Sequence, residues 1–200
     1  MNINQKQGPP KQEAIDHVIL ASGSPRRREL LTRAGLNFEV RESGVAEELR
    51  EGEGAREFAS RMASEKARAV SNREAERLVI AADTVVDCDG IIGKPRDAEE
   101  ARAMLKRLSG RTHLVVTAFA LARAGRVVES DAVLSLVTFR ELAEAEIADY
   151  VATGAPMDKA GAYGIQDAGA GFVSNLQGSR DNVMGLPVEQ VLAAIGRHRA

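Results

Sequence analysis

A short apolar strand that leads directly into a helix start is the feature that most limits the folds open to this chain. The apolar stretch Ile19-Leu20-Ala21 is followed by Ser22-Gly23-Ser24-Pro25-Arg26-Arg27-Arg28. Serine is a preferred N-cap residue and proline is favoured at the first helical position, so Ser24 and Pro25 predict a helix start. A strand that passes at once into a helix is typical of an α/β domain.

The first turn of this predicted helix carries three arginines. The positive end of the helix dipole lies there, so each arginine costs about 0.3–1 kcal/mol unless an anion lies among them. Backbone N–H groups and guanidinium groups in such a turn form a phosphate site. The alternative is that the arginines point into solvent. Because open α/β sheets bind ligands at the ends of their strands, the position of the turn favours the anion site.

Composition limits the class of protein. The chain has 200 residues, and we expect a flexible tail over 1–14 and a single domain over 15–200. Lys+Arg 27 against Asp+Glu 29 gives a net charge of −2, so no overall basic field attracts nucleic acid or an anionic membrane. A lone Cys88 excludes an intrachain disulfide, and no apolar run approaches the ~20 residues that span a bilayer. These observations predict a cytoplasmic protein.

The hydrophobic pattern predicts the order of helices and strands. Strands are expected at about 17–21, 38–40, 78–86, 113–122 and 127–139, and helices at about 25–34, 55–71, 97–109, 143–153 and 188–199. The glycine-rich stretch 155–187 has little periodicity and is expected to form functional loops. Because strands and helices alternate first and a long hairpin follows, the predicted fold class is α/β, with a mixed central sheet flanked by helices and two lobes around a cleft.

Two charged residues occupy positions where the pattern is apolar. Asp83 directly follows the apolar run 78–82, and a buried carboxylate needs a cation, a metal or several hydrogen bonds. Asp83 is therefore either a structural cap or a functional acid. Lys66 lies on the apolar stripe of the 55–71 helix. It either extends to solvent at the edge of the stripe or is held inward by an anion.

Common nucleotide and metal motifs are absent from the sequence. Gly90-Ile91-Ile92-Gly93-Lys94-Pro95 is too short for a Walker A loop, and the three histidines are scattered, so zinc chemistry is not expected. The remaining candidates are anion-binding side chains, namely Ser22, Arg26, Arg27, Lys66 and Lys94, and acids, namely Asp83 and either Glu47 or Glu48. Carboxylate and phosphate oxygens suit Mg²⁺ or Mn²⁺. The pattern favours a polyphosphate ligand with a hard divalent metal.

Several motifs together resemble those of the Maf family of nucleoside triphosphate pyrophosphatases. They are, in order, Leu20-Ala21-Ser22-Gly23-Ser24-Pro25-Arg26-Arg27-Arg28-Glu29-Leu30-Leu31, Ala82-Asp83-Thr84-Val85-Val86, Gly93-Lys94-Pro95-Arg96-Asp97, Leu108-Ser109-Gly110-Arg111-Thr112-His113, Asp158-Lys159-Ala160-Gly161-Ala162-Tyr163-Gly164-Ile165-Gln166 and Gly185-Leu186-Pro187. The resemblance extends over about residues 19–192. It implies a Maf/ITPase-like fold and hydrolysis of the α–β phosphoanhydride bond to a monophosphate and pyrophosphate.

The resemblance also implies a role for each candidate residue. Asp83 matches the proton acceptor that activates water, and Asp83 and Glu47 match the acids near a divalent metal, Mg²⁺ or Mn²⁺. The implied phosphate contacts are Ser22, Arg27, Lys66 and Lys94. Arg26, Thr84 and Gln166 are similar to the specificity residues of the branch that acts on dTTP and UTP, although Thr84 also fits a plain strand position and Gln166 a loop amide.

The resemblance further implies a homodimer that removes surplus or modified pyrimidine nucleotides. Two other functions stay open on the sequence. One is a nucleotide-binding regulator of cell division with little turnover, and the other is a 7-methyl-GTP pyrophosphatase.

Overall fold

The computed structural model describes residues 18–198, so the tail predicted at 1–14 lies outside the described part of the chain. Within that part, seven strands form one sheet: β1 (Val18–Leu20), β2 (Phe38–Val40), β3 (Val79–Asp87), β4 (Ile91–Ile92), β5 (Thr112–Arg123), β6 (Arg126–Phe139) and β7 (Val173–Gln177). The α-helices are α1 (Pro25–Arg33), α2 (Ala55–Ser71), α3 (Ala98–Leu108), α4 (Glu144–Ala152), α5 (Arg180–Met184) and α6 (Val188–His198).

The sheet is mixed, as the sequence predicts. Its strand order is β2-β1-β3-β5-β6-β7, with β4 paired to β3. β1 is parallel to both β2 and β3, and the other pairs are antiparallel. Leu20 of β1 lies beside Ile80 of β3. Because parallel strands end at the same edge of a sheet, the segment after β1 and the second half of β3 lie side by side.

Three apolar clusters pack against this sheet. One lies between α2 and one face, and a second lies between α1, α6 and the opposite face. The third lies at the far end of β3, β5 and β6, where α3 and α4 cover the strands. The second and third clusters both include residues of β5, and the cleft is lined by Ile165 and Met184 of the second cluster and by Val86 and Tyr163 of the third.

Capping residues set both ends of α1, the helix whose first turn lines the cleft. The Ser24 side chain accepts a hydrogen bond from the Arg27 backbone N–H at 3.5 Å, and Pro25 is the first helical residue. After the C-cap residue Ala34, Gly35 has a φ of +72°, a left-handed conformation in which glycine carries no Cβ penalty. The predicted serine-proline start and glycine end of α1 are therefore confirmed.

The segment 155–187 is the largest difference from the predicted elements. It was expected to hold loops, yet it contains three short 3₁₀ turns (Ala155–Asp158, Ala160–Ala162 and Ala168–Phe172), strand β7 and helix α5. The prediction of loops alone was wrong because β7 has five residues and pairs with β6, with Val137 opposite Leu176. Such a strand is stabilised by its neighbour, which lies far away in the sequence. No helix among residues 18–198 has the length and apolarity to cross a membrane.

Candidate active site

A cleft of about 370 Å³ lies where β1 and β3 meet the start of α1. It is lined by all the residues that the sequence predicts for the site: Ser22, Arg26, Arg27, Glu47, Lys66, Asp83, Thr84, Lys94 and Gln166. Glu48, the alternative to Glu47, is not among the lining residues. The structure thus brings together side chains that are up to 144 positions apart in the sequence (Ser22 to Gln166).

Arg27 is held at the centre of this cleft by three hydrogen bonds. Its Nε donates to the Gly185 carbonyl at 2.8 Å, Nη1 to Ser22 Oγ at 3.2 Å and Nη2 to Thr84 Oγ1 at 3.2 Å. A guanidinium has five N–H donors, so two remain for a ligand, one on each terminal nitrogen. This orientation presents a two-pronged donor that matches phosphate oxygens.

Arg26 points to a different partner. Its Nη1 lies 2.7 Å from Asp158 Oδ2, and its Nη2 donates to the Asp158 carbonyl at 3.0 Å. The first turn of α1 contains no acidic residue, so Asp158 supplies from a distant segment part of the negative charge that the arginine turn requires. Arg28 is exposed. For this one of the three arginines, the side chain therefore points into solvent and not toward an anion.

Asp83, Lys66 and Glu47 form the charged centre of the cleft. Lys66 Nζ lies 2.6 Å from Asp83 Oδ1 and 2.5 Å from Glu47 Oε1. The exposed fractions of the Lys66 and Asp83 side chains are 7% and 6%, against 40% for Glu47. Of the two interpretations of Lys66, the structure therefore supports the one in which anionic groups hold the lysine inward.

The two carboxylates differ in how easily they lose a proton. Burial raises the pKa of Asp83, and the charges of Lys66 and Arg27 act against this rise. Burial also disfavours the ionised form of Glu47, but the hydrogen bond from Lys66 and the charges of Lys66, Lys94 and Arg27 outweigh it and lower the pKa of Glu47. Glu47 is thus a stable anion, whereas Asp83 is the better proton acceptor.

The donor set of the cleft fits a hard divalent cation. Asp83 and Glu47 share one cationic group, the Lys66 ammonium, and Lys94 Nζ lies 3.8 Å from Glu47 Oε2. Among residues 18–198, no group of three or more His, Cys, Asp or Glu side chains is placed to hold a metal. Mg²⁺ commonly takes one or two carboxylates and completes its shell with substrate phosphates and water. The two acids fit that arrangement, with the ligand providing the other oxygens.

Thr84 and Gln166 lie at two different kinds of position. Thr84 is part of β3 and is partly exposed to the cleft, whereas Gln166 is exposed on the segment after Tyr163. Asp83 and Thr84 are consecutive in the strand, so their side chains point to opposite faces of the sheet. Asp83 faces α2, while Thr84 faces α1 and Gly185.

Three contacts of the cleft are not predicted by the sequence. Asp158 belongs to one of the motifs, but its pairing with Arg26 spans 132 positions. Tyr163 lines the cleft, and its hydroxyl lies 2.8 Å from Nε2 of the buried His113. Gly185 provides the carbonyl that holds Arg27. The residue types alone do not predict these contacts, although all three residues lie in motifs that resemble those of the Maf family.

The mixed sheet and the cleft of arginines, lysines and carboxylates define an α/β protein built to bind a polyanion. The chain belongs to the Maf family, because the family model described as Maf-like protein matches residues 17–198. A dTTP/UTP pyrophosphatase of Geobacter sp. (strain M21) is 49% identical over 182 residues, which cover 89% of this chain and 93% of the relative. A dTTP/UTP pyrophosphatase of Escherichia coli O157:H7 is 46% identical over 185 residues, with 92% and 93% covered.

A solved structure is similar in fold. A HAM1 protein from Coxiella burnetii superimposes with a TM-score of 0.50 at 16% identity, and the match covers 90% of this chain and 98% of that one. At this identity the similarity concerns the fold alone. It confirms the expected architecture of a mixed sheet flanked by helices.

Proposed function

We propose that this chain is a nucleoside triphosphate pyrophosphatase that hydrolyses dTTP and UTP to the monophosphate and pyrophosphate. Its relatives in the Maf family carry that activity in their names at 46–49% identity over most of both chains. The observation that carries the proposal is the buried Asp83, in contact with Lys66, in the same cleft as the oriented guanidinium of Arg27. In this arrangement Asp83 accepts a proton, and Lys66 and Arg27 stabilise negative charge.

The triphosphate is bound by the cationic side of the cleft. Arg27 offers its two remaining N–H donors, and Ser22 lies beside it on the segment after β1. Lys94 is 56% exposed at its side chain and lies next to Glu47, so it extends into the open part of the cleft. Together with Lys66 these side chains stabilise the charge that develops on the leaving pyrophosphate.

Asp83 acts as the general base in this proposal. It accepts a proton from the water that attacks the α-phosphorus, and the bond between that phosphorus and the bridging oxygen to the β-phosphorus breaks. The raised pKa of Asp83 suits this task, because a carboxylate that is easier to protonate is a stronger base. Lys66 holds the carboxylate in place through the 2.6 Å contact with Oδ1.

Asp83 and Glu47 are also the proposed ligands of a divalent metal, Mg²⁺ or Mn²⁺. When bound there, the metal neutralises phosphate charge and polarises the phosphoryl oxygens. The support is the pair of hard oxygen donors that already share a cationic group.

We assign base selection to Arg26, Thr84 and Gln166, which line the same cleft. We also propose that the protein is a cytoplasmic homodimer that acts on surplus or modified pyrimidine nucleotides and binds neither nucleic acid nor membrane. The net charge of −2 and the single cysteine support the compartment and the absence of nucleic-acid and membrane partners.

A panel of triphosphates tests the function. Purified protein is incubated with dTTP, UTP, 7-methyl-GTP, ATP and GTP in Mg²⁺ or Mn²⁺, and pyrophosphate and phosphate are measured separately. We expect pyrophosphate from dTTP and UTP. Pyrophosphate from 7-methyl-GTP alone would assign the chain to the other branch, and tight binding without product would favour the regulator. Release of phosphate alone would contradict the proposed bond cleavage.

A further inference from the structure

Thr117 is a buried hydroxyl next to the cleft that has no role in the function proposed above. It lies on β5 directly opposite Thr84 of β3 and has an exposed fraction of 0%. Its Oγ1 lies 3.0 Å from Thr84 Oγ1 and 2.8 Å from the main-chain oxygen of Asn182. Thr117 and Asn182 do not line the cleft and Thr84 does, so the direct link from Thr117 to a ligand is through Thr84.

The donor and the acceptor of each hydrogen bond between Thr84, Thr117 and Asn182 follow from the chemistry of the groups. A hydroxyl has one proton to donate and two lone pairs to accept with. The Asn182 carbonyl can only accept, so the proton of Thr117 is used there. Thr117 must then accept from Thr84, which uses the only proton of the Thr84 hydroxyl.

The contact with Arg27 completes this assignment. Arg27 Nη2 lies 3.2 Å from Thr84 Oγ1, and a guanidinium can only donate. Thr84 therefore accepts from Arg27 and donates to Thr117. One lone pair and no proton remain on Thr84 for a ligand, so this hydroxyl presents an acceptor to the cleft.

An acceptor at this place constrains which part of the nucleotide can lie against it. Phosphate oxygens only accept hydrogen bonds, so they gain nothing from Thr84. Uracil and thymine share an N3–H donor, although dTTP and UTP differ at the base methyl group and the sugar 2′ position. Cytosine has an unprotonated N3, which is an acceptor.

Building on the proposed function, we propose that Thr117 fixes the Thr84 hydroxyl as a hydrogen-bond acceptor, and that Thr84 thereby selects uracil and thymine nucleotides over cytosine nucleotides. Thr84 contacts the base in this proposal, and Thr117 is a positioning residue. The other two specificity residues complement it. Arg26 is a donor that suits a base carbonyl, while the exposed amide of Gln166 offers both a donor and an acceptor.

The space beside Thr84 is consistent with a ligand at that point. Gly185 borders the hydroxyl, and a Cβ at this residue would lie 3.5 Å from Thr84 Oγ1. The absence of a side chain there leaves one flank of the hydroxyl accessible from the cleft. A base edge can therefore approach the remaining lone pair.

Two substitutions at Thr117 test the proposal. T117V keeps the shape and removes the hydroxyl, and T117S keeps the hydroxyl. T112V is the matched control, because Thr112 and Thr138 form a similar hydroxyl pair at 2.9 Å on the same strand without lining the cleft. The ratio of kcat/KM for UTP to that for CTP is measured for all four proteins, with thermal unfolding as a check of folding.

We expect the wild type, T117S and T112V to favour UTP over CTP by at least about tenfold. In T117V the Thr84 proton is released and can be donated to N3 of cytosine, so the ratio should fall by at least about tenfold. Equal turnover of UTP and CTP by the wild type, or an unchanged ratio in folded T117V, would overturn the proposal.

Binding separates this inference from the proposed function. Dissociation constants are measured by calorimetry for the α,β-methylene analogues of UTP and CTP, with the same four proteins. If no triphosphate releases pyrophosphate but the uracil analogue still binds at least about tenfold tighter, the function is wrong and the role of Thr84 stands. Equal binding of both analogues contradicts the role of Thr84. If T117V does not fold, weakened turnover of N3-methyl-UTP by the wild type supports the proposal, and unimpaired turnover contradicts it.

Discussion

Lys66 Nζ lies 2.6 Å from Asp83 Oδ1, and only 7% and 6% of the two side chains are exposed. The pair explains how a carboxylate persists in the middle of the largely apolar strand β3. A buried charge is costly without a partner, and the lysine on α2 supplies one. Because Glu47 contacts the same ammonium, the pair is also linked to the open part of the cleft.

Asp83→Asn should bind nucleotide and lose most of its turnover. The amide can still accept a hydrogen bond from Lys66, but it cannot take a proton from water, so pyrophosphate release from UTP should fall by about 10²–10⁴-fold. Stopped or quenched assays give the rate, and calorimetry with an α,β-methylene analogue gives the affinity. Near wild-type pyrophosphate release would show that Asp83 is not the base.

Arg27→Lys should impair catalysis although it preserves the charge. Lysine cannot replace the three directed bonds to Gly185, Ser22 and Thr84 and still present two donors to phosphate. We expect kcat/KM for UTP to fall by about 10²-fold or more. Arg28→Lys, in the same turn but exposed, is the control and should keep the wild-type value. Equal effects of the two substitutions would remove the special role of Arg27.

Glu47→Gln should weaken the response to metal. The substitution keeps the shape and removes one of the two carboxylates proposed to bind the metal, so the Mg²⁺ concentration for half-maximal activity should rise on the order of tenfold. Glu48→Gln is the neighbouring control, because Glu48 does not line the cleft. A titration with MgCl₂ at a fixed UTP concentration measures the Mg²⁺ midpoint of each variant. An unchanged midpoint in Glu47→Gln would exclude it as a ligand.

His113 should make the fold sensitive to mild acid. Burial lowers the pKa of His113 from 6.5 to about 4, so the folded protein keeps the ring neutral while the unfolded chain takes up a proton below about pH 6.5. The stability is therefore complete above pH 6.5, and the free energy of unfolding decreases by up to about 3 kcal/mol as the pH falls from 6.5 toward 4.

Urea unfolding at intervals between pH 7.5 and 4.5 measures this effect. His113→Gln, which has no titrating group, should show a flatter dependence of the free energy of unfolding on pH over that range. A slope equal to that of the wild type would mean that other groups cause the acid sensitivity.

Much of the fold could be predicted because its elements carry strong local signals. The apolar stripe of α2 gave its bounds at Ala55 and Ser71, and the continuous apolar run before Asp83 identified the central strand β3. By contrast, β7 and α5 are short and lie in a glycine-rich segment. Their order depends on contacts with β6 and β5, which a local pattern does not contain.

The sequence predicted which residues form the site. It did not predict which side chains contact one another there. Unusual positions singled out Asp83 and Lys66, an acid and a base among apolar residues. The partner of Arg26 was missed because Asp158 lies 132 positions away. Thr117 was missed for another reason, since a threonine in a β-strand is ordinary and only its cross-strand position opposite Thr84 gives it a role.

The position of the attacked phosphorus tests the central claim most directly. UTP is hydrolysed by the wild-type protein in ¹⁸O-labelled water with Mg²⁺, and the products are analysed by mass spectrometry. The account predicts one ¹⁸O atom in UMP and none in pyrophosphate, because water attacks the α-phosphorus. Label in pyrophosphate, or the products UDP and labelled phosphate, would contradict it.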